Sequence, residues 1–376
     1  INSIGGNGQT AFFIFSSIVI FLRGKIFYPK GFRIVLFVLL SFILIFNGWD
    51  NSVGVIRVII ESFIIANVLI YFFRINKYTE VLYLLKSLIL FQAAFAILML
   101  YSPQLRESLL SYVYEGAAYQ GEAFKNAIAY RGFGVSKHHL YGLPMAIALC
   151  VALIITERYE TSTIKAFYFI LGIAFISLNA RVGLVLLLLA LLWMLVTFSK
   201  NNIKHLFILF CITSISVSLF VGIFSFSNNI TLDWLKEGVS QFSSSSNTQA
   251  TTLSDLGGMI HIPSSSWDLL FGRSYSCDIE SDCYSDIGFI RLINSGGLIS
   301  FCSVIFLYFY ISCSLYDRKE WAYSVSRCML LFFIFLVAML KGEAYAASDY
   351  SRVFMVTCLV MMRIKKEGAI NVASSS

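Results

Sequence analysis

Long apolar runs separated by short loops constrain this chain more than any other feature. A helix needs about 20 apolar residues to cross a bilayer, and about eleven segments of the chain approach that length. The runs lie near residues 9–22, 32–47, 53–73, 79–101, 138–157, 163–180, 182–198, 205–224, 287–315, 322–341 and 350–363. The sequence therefore predicts an all-α, polytopic integral membrane protein with a single transmembrane domain over residues 1–376.

The composition excludes the other common classes. Hydrophobic residues make up 58% of the chain and charged residues 13%, whereas an ordinary soluble domain is roughly 25% charged. A transmembrane barrel would instead show alternating segments of about ten residues. Helical spans are the remaining way to satisfy the backbone inside lipid.

Basic loops predict the orientation, because Lys and Arg in short loops mark the cytoplasmic side. The other loops, which include NGWDNS at 47–52 and two long segments at 102–137 and 225–286, are then expected to face outward. The net charge of +7 is explained by the inner face, so a nucleic-acid partner is not expected. The basic loops contain Arg23, Lys25, Lys30, Arg33, Arg74, Lys77, Arg158, Lys165, Lys200, Lys204, Arg318, Lys319, Arg363, Lys365 and Lys366.

The parity of the spans bears on the N-terminus. About eleven spans and a cytoplasmic C-terminus place Ile1 outside. A preceding span that is missing from this numbering would bring the total to about twelve, with both ends inside. A true outside N-terminus is the alternative.

Both long outer loops contain an amphipathic pattern. Apolar residues recur at helical spacing between Leu105 and Tyr119 and again between Leu232 and Phe242. We expect two short helices that lie on the membrane or cover a cavity. The serine- and threonine-rich segment after the second helix is expected to be either a lid or an inert linker.

Two cysteines, Cys277 and Cys283, lie in the second outer loop. An oxidising compartment would permit a disulfide between them, and two free thiols are the alternative. Their spacing and the absence of a nearby histidine do not fit a zinc site, so no metal is expected.

Cations at the outer ends of the spans predict an anion site. Arg131 lies in YRGFGVSKHHLYG, directly before a span, and Arg181 lies in LNARVG between two apolar runs. Arginine suits phosphate because its planar guanidinium donates two parallel hydrogen bonds. Taken singly, each of these cations could instead extend towards the interface. The further cations at this face are Arg273, Arg291, Lys341 and Arg352.

Several side chains at the same face could act as a general base. Asp286 follows the acidic outer loop, and Gly288 beyond it leaves space for a substrate. Asp286 could instead cap a helix that begins at Ile287, as aspartate often does. The other candidates are Asp282, Glu343, His138 and His139.

The order of these motifs resembles the bacterial O-antigen polymerase and ligase superfamily, specifically a Wzy-type repeat-unit polymerase, over residues 131–352. LNARVG resembles the family's Arg-x-Gly turn, and Arg131 to Gly142 matches its arginine, ten residues, glycine spacing. The segment 270–297 resembles the end of the large outer loop, where a polar pair leads into a span with a double glycine. Ligases usually have His-Asn as that pair, whereas this chain has Ser285-Asp286.

This resemblance implies a glycosyltransferase of the bacterial inner membrane whose active site faces the periplasm. Its donor and acceptor would be glycans on undecaprenyl diphosphate, with membrane lipids and a chain-length regulator as further partners and no cofactor. Asp286 is favoured as the base because it occupies the polar pair of the motif. The alternatives are an O-antigen ligase, which shares the donor, and a lipid-linked oligosaccharide flippase or other transporter.

Overall fold

The structure is a computed structural model that describes residues 18, 27, 32–102, 104–105, 108, 141–158, 160–179, 182–197, 257–273, 285–316, 321–342, 344–346 and 348–374. All regular secondary structure in these ranges is helical, which confirms the all-α class. The helices are α1 (Phe32–Tyr71), α2 (Tyr78–Tyr101), α3 (Gly142–Ile155), α4 (Ser162–Ser177), α5 (Val182–Thr197), α6 (Ser266–Phe271), α7 (Gly288–Cys313), α8 (Trp321–Ala338) and α9 (Asp349–Ser374).

Three of these described helices contain stretches long and apolar enough to cross a membrane. They are Val53–Tyr71 in α1, Tyr78–Met99 in α2 and Gly288–Cys313 in α7. Shorter apolar helices of 10–17 residues lie at Leu36–Phe46, Gly142–Ile155, Ser162–Ser177, Val182–Met194 and Tyr323–Ala338. The chain thus has the apolar helices of a membrane protein. The predicted run at 205–224, most of the run at 9–22 and most of the two amphipathic segments lie outside the described residues.

Helix α1 corrects one part of the predicted topology. It is continuous over 40 residues, so the outward loop predicted at 47–52 was wrong. NGWDNS contains no proline, and a glycine inside a helix costs only about 1 kcal/mol relative to alanine, so helical hydrogen bonding continues through it. A straight helix of this length is about 60 Å long. Beyond its end, Arg74 takes a left-handed conformation with φ 55°.

The chain divides into two compact units. Unit 1 contains Ile1–Phe12 and Leu82–Ala250, and unit 2 contains Phe13–Val81 and Thr251–Ser376. In unit 1, all 14 residues of α3 are buried, as expected of a helix that is hydrophobic on every side. Helices α4 and α5 pack against it. Gly172 of α4 lies so near Val151 that a Cβ would overlap its side chain, which allows the two helices to pack closely.

In unit 2, α7 packs against α1, α6 and α8, and α9 packs against α1. Tyr308 of α7 stacks on Phe335 of α8, with ring centroids 3.8 Å apart, and also contacts Phe354 of α9 at 5.2 Å. Its hydroxyl donates a hydrogen bond to the carbonyl of Tyr345 at 3.2 Å. This aromatic core therefore holds the connection between α8 and α9 against α7.

Candidate functional site

Helix α7 bends sharply at Gly297, whose φ of 66° and ψ of −176° are not helical. Gly288 at the start of α7 lies against the carbonyl of Gly342, and Tyr308 near its end bonds the carbonyl of Tyr345. Both partners belong to the short connection between α8 and α9, whereas an unbroken helix would place residues 288 and 308 about 30 Å apart. The chain therefore has a sharp kink at Gly297, within the span predicted at 287–315.

Backbone contacts with α6 hold this bend. Gly297 lies against the carbonyl of Leu270, and Gly272, which also has a positive φ, lies against Gly296. A Cβ at Gly272 or Gly297 would overlap backbone atoms of the other segment, so only glycine permits the contact. The double glycine of the sequence motif is thus the position of the kink.

The contact between α6 and α7 also places Arg273 beside the first segment of α7. Its backbone N–H donates to the carbonyl of Asn294 at 3.0 Å, at the end of the first segment of α7. Arg291 lies on that first segment and is half-buried. The structure therefore brings these two predicted cations to the same short segment, which begins beside Asp286.

Asp286 and Lys341 form an ion pair across 55 positions of sequence, with Lys341 Nζ donating to Asp286 Oδ2 at 2.7 Å. Their side chains are 22% and 20% exposed, respectively, so the pair is held but still reachable. Next to it, the N–H of Gly342 donates to the carbonyl of Asp286 at 2.6 Å. Both residues were predicted site residues, but their pairing was not predicted from the sequence.

The start of α7 also bears on the capping alternative for Asp286. The helix begins at Gly288, so the cap position is Ile287 rather than Asp286. Ser285, the other member of the polar pair, is buried, and its Oγ accepts a hydrogen bond from the N–H of Ile287 at 3.1 Å. The capping alternative required a helix that begins at Ile287. The observed helix begins one residue later, so Asp286 is not its cap residue.

Arg352 takes part in a second charged group, which is buried within unit 2. Its Nε donates to Glu61 Oε2 at 2.5 Å, and Arg57 Nε donates to Glu61 Oε1 at 2.6 Å. The side chains of Arg352 and Glu61 are 9% and 7% exposed. We predicted Arg352 as a substrate-binding residue, and the structure shows it held by Glu61. Glu61 was missed by the sequence analysis, although an acid inside an apolar run is itself a signal of function.

Unit 1 contains another buried ion pair that was missed. Lys86 Nζ of α2 donates to Glu160 Oε1 at 2.5 Å, and the two side chains are 11% and 16% exposed. The ammonium also lies 5.5 Å from the ring of Tyr83 and 6.0 Å from that of Tyr168. A lysine within an apolar helix was again the available signal.

Several predicted site residues lie outside the described residues. They include the first two cation motifs, four candidate bases and the possible disulfide. They are Arg131, His138, His139, Arg181, Cys277, Asp282, Cys283 and Glu343.

Comparison of the chain with protein-family models, with curated proteins and with solved structures finds no match. Among the contacts of the charged side chains, the ion pair of Asp286 and Lys341 unites two residues that the motifs had already selected.

Proposed function

We propose that the protein is a polymerase that joins undecaprenyl-diphosphate-linked oligosaccharide repeat units into a surface polysaccharide, such as O-antigen, at the periplasmic face of the bacterial inner membrane. The observation that carries this proposal is the reachable ion pair of Asp286 and Lys341 beside the start of α7. A carboxylate and a cation side by side suit a reaction in which a hydroxyl is deprotonated while a diphosphate departs.

The reaction assigns a role to each charged group. The sugar hydroxyl of the acceptor attacks the anomeric carbon of the donor glycan, and its proton passes to Asp286. The bond from that carbon to the lipid diphosphate breaks, and the electron pair leaves with the diphosphate. Lys341, Arg273 and Arg291 stabilise this departing charge, because cations placed where negative charge develops lower the barrier.

The proposed orientation places the ends of α7, α8 and α9 that surround this pair in the periplasm. The basic residues at their opposite ends, Arg318, Lys319 and Lys365, support it, since such residues mark the cytoplasmic side. Arg131 and Arg181 stay predicted diphosphate-binding residues by their motifs alone, with His138, His139 and Glu343 as alternative bases.

The lipopolysaccharide ladder of a deletion strain tests the function. Loss of long chains with one capped repeat unit retained is the expected result. Loss of all capping would contradict the proposal and indicate a ligase or a flippase. Complementation with Asp286→Asn should restore little polymer while the protein remains in the membrane, because asparagine cannot accept the proton.

A transporter of lipid-linked oligosaccharide is a second candidate, favoured by Lys86, which lies in the apolar helix α2 and pairs with Glu160. Ionisable groups inside a membrane often mark the path of a substrate or a proton. Lys86→Met should leave polymer length unchanged if the protein is a polymerase whose general base is Asp286. Accumulation of lipid-linked single units on the cytoplasmic side would favour the transporter.

A further inference from the structure

Arg57, Glu61 and Arg352 together carry one more positive than negative charge. Each oxygen of the Glu61 carboxylate accepts from one arginine Nε, at 2.6 Å from Arg57 and 2.5 Å from Arg352. One carboxylate thus balances only one of the two guanidinium groups. The group lies where α9 packs against the second half of α1.

The two arginines differ in exposure. Arg352 is 9% exposed, and its Nη1 is buried without a hydrogen-bond partner among the described residues. The side chain of Arg57 is 50% exposed. Glu61 therefore lies between a buried cation and a reachable one, and Arg57 is the member of the group that a ligand could contact.

The position of Arg57 makes its charge costly. It lies in the stretch Val53–Tyr71, which is long and apolar enough to cross a membrane. A cation inside a bilayer is expensive unless an anion or water accompanies it. Glu61 cannot fully balance Arg57, because Arg352 shares the same carboxylate.

The geometry also favours a bound anion over simple extension of Arg57 towards the interface. An arginine that only extends its charge into the water at the membrane interface does not need a fixed guanidinium orientation. Here a buried carboxylate holds Nε, and this contact leaves the two Nη groups of Arg57 to form the planar fork that binds phosphate bidentately.

We infer that Arg57 contacts a phosphate group of the lipid-linked diphosphate, while Glu61 and Arg352 are positioning residues that hold its guanidinium. This inference rests on the proposed function for the identity of the anion. It adds a binding residue that the sequence motifs did not select, on a helix outside the segment 131–352.

Binding of farnesyl diphosphate, a short prenyl diphosphate, to the purified full chain in detergent tests the inference. Isothermal titration calorimetry should show about ten- to hundredfold weaker binding for Arg57→Gln, the loss expected for a charge-assisted bidentate contact. Arg57→Lys should also bind more weakly than the unmodified protein, because a point charge cannot reproduce the fork. Farnesol, which lacks the diphosphate, should bind equally to all these proteins.

Arg74→Gln is the matched control, since it removes the same charge just beyond the end of the same helix. It should bind farnesyl diphosphate as the unmodified protein does. Equal affinity in Arg57→Gln and the unmodified protein, equal losses in Arg57→Gln and Arg74→Gln, or no binding by the unmodified protein would each overturn the inference. If Arg57→Gln does not fold, Arg57→Lys decides, and unchanged affinity in that variant refutes the contact.

The two proposals fail in different ways. If long chains persist in the deletion strain while Arg57→Gln weakens binding, the polymerase function is wrong and the anion site remains. If the ladder depends on the protein but Arg57→Gln binds normally, the site is wrong and the function remains.

Discussion

Exchanging the charges of Asp286 and Lys341 should show whether Asp286 acts only as a structural ion-pair partner or also as a general base. Asp286→Asn and Lys341→Gln each leave the other charge without this partner, in a pair whose side chains are only 22% and 20% exposed. The double variant Asp286→Lys/Lys341→Asp lets opposite charges meet again. It also moves the carboxylate away from the start of α7.

The two roles predict different magnitudes. Loss of a charge-assisted hydrogen bond costs about 1.5–3 kcal/mol, so each single variant should lose about that much stability. The exchange should recover most of this loss. Loss of a general base lowers the rate by about 10²–10⁴-fold, and the exchange should not recover it. We therefore expect a protein of nearly normal stability that makes almost no long chains.

Thermal unfolding of the purified protein in detergent measures the first effect, and densitometry of the lipopolysaccharide ladder in the complemented deletion strain measures the second. The neutral pair Asp286→Asn/Lys341→Gln is the control for loss of both charges. Long chains at the normal level in the exchanged variant would refute the catalytic role. The search for a base would then move to Glu343, His138 and His139.

Three further predictions concern packing, the second cation motif and topology. Gly288→Ala should destabilise the protein by about 1–3 kcal/mol, because a Cβ would overlap the carbonyl of Gly342 and backbone can shift only at a cost, whereas Gly258→Ala, with no atom within 4 Å, should melt normally. Arg181→Lys should lose most polymer at unchanged protein level, and a normal ladder would favour interfacial extension of that side chain. Cysteine at Ser245 should react with an impermeant reagent from the periplasm, and a cytoplasmic result would overturn the orientation.

Apolar helices were the part of the fold that sequence could predict well. The runs at 138–157, 163–180 and 182–198 appear as α3, α4 and α5. Each run is apolar over most of its length, so its helical form follows from its own residues. The prediction of a loop at 47–52 was wrong because it depended on a few polar residues with only a weak local preference. Residues that favour turns only weakly oppose a helix, and the hydrogen bonding of α1 outweighs them.

The site was predicted less completely because its contacts join distant parts of the chain. Asp286 and Lys341 could each be selected from local context, but their pairing depends on how α7 and α8 are placed. Glu61 and Arg352 are 291 positions apart, and no local pattern relates them. The bend at Gly297 was equally hidden, since a double glycine within an apolar run is also compatible with a straight, closely packed span.

The backbone contact that Gly272 and Gly297 make possible has a consequence for recognising distant relatives of this chain. A charged residue can be exchanged for another donor or acceptor while its task persists, but Gly272 and Gly297 combine a positive φ with backbone contact, and no other residue satisfies both conditions. In a set of homologues, these two glycines should stay fixed relative to each other even where the charges around them have changed. Their separation in sequence would then be a better search pattern than the charged residues around them.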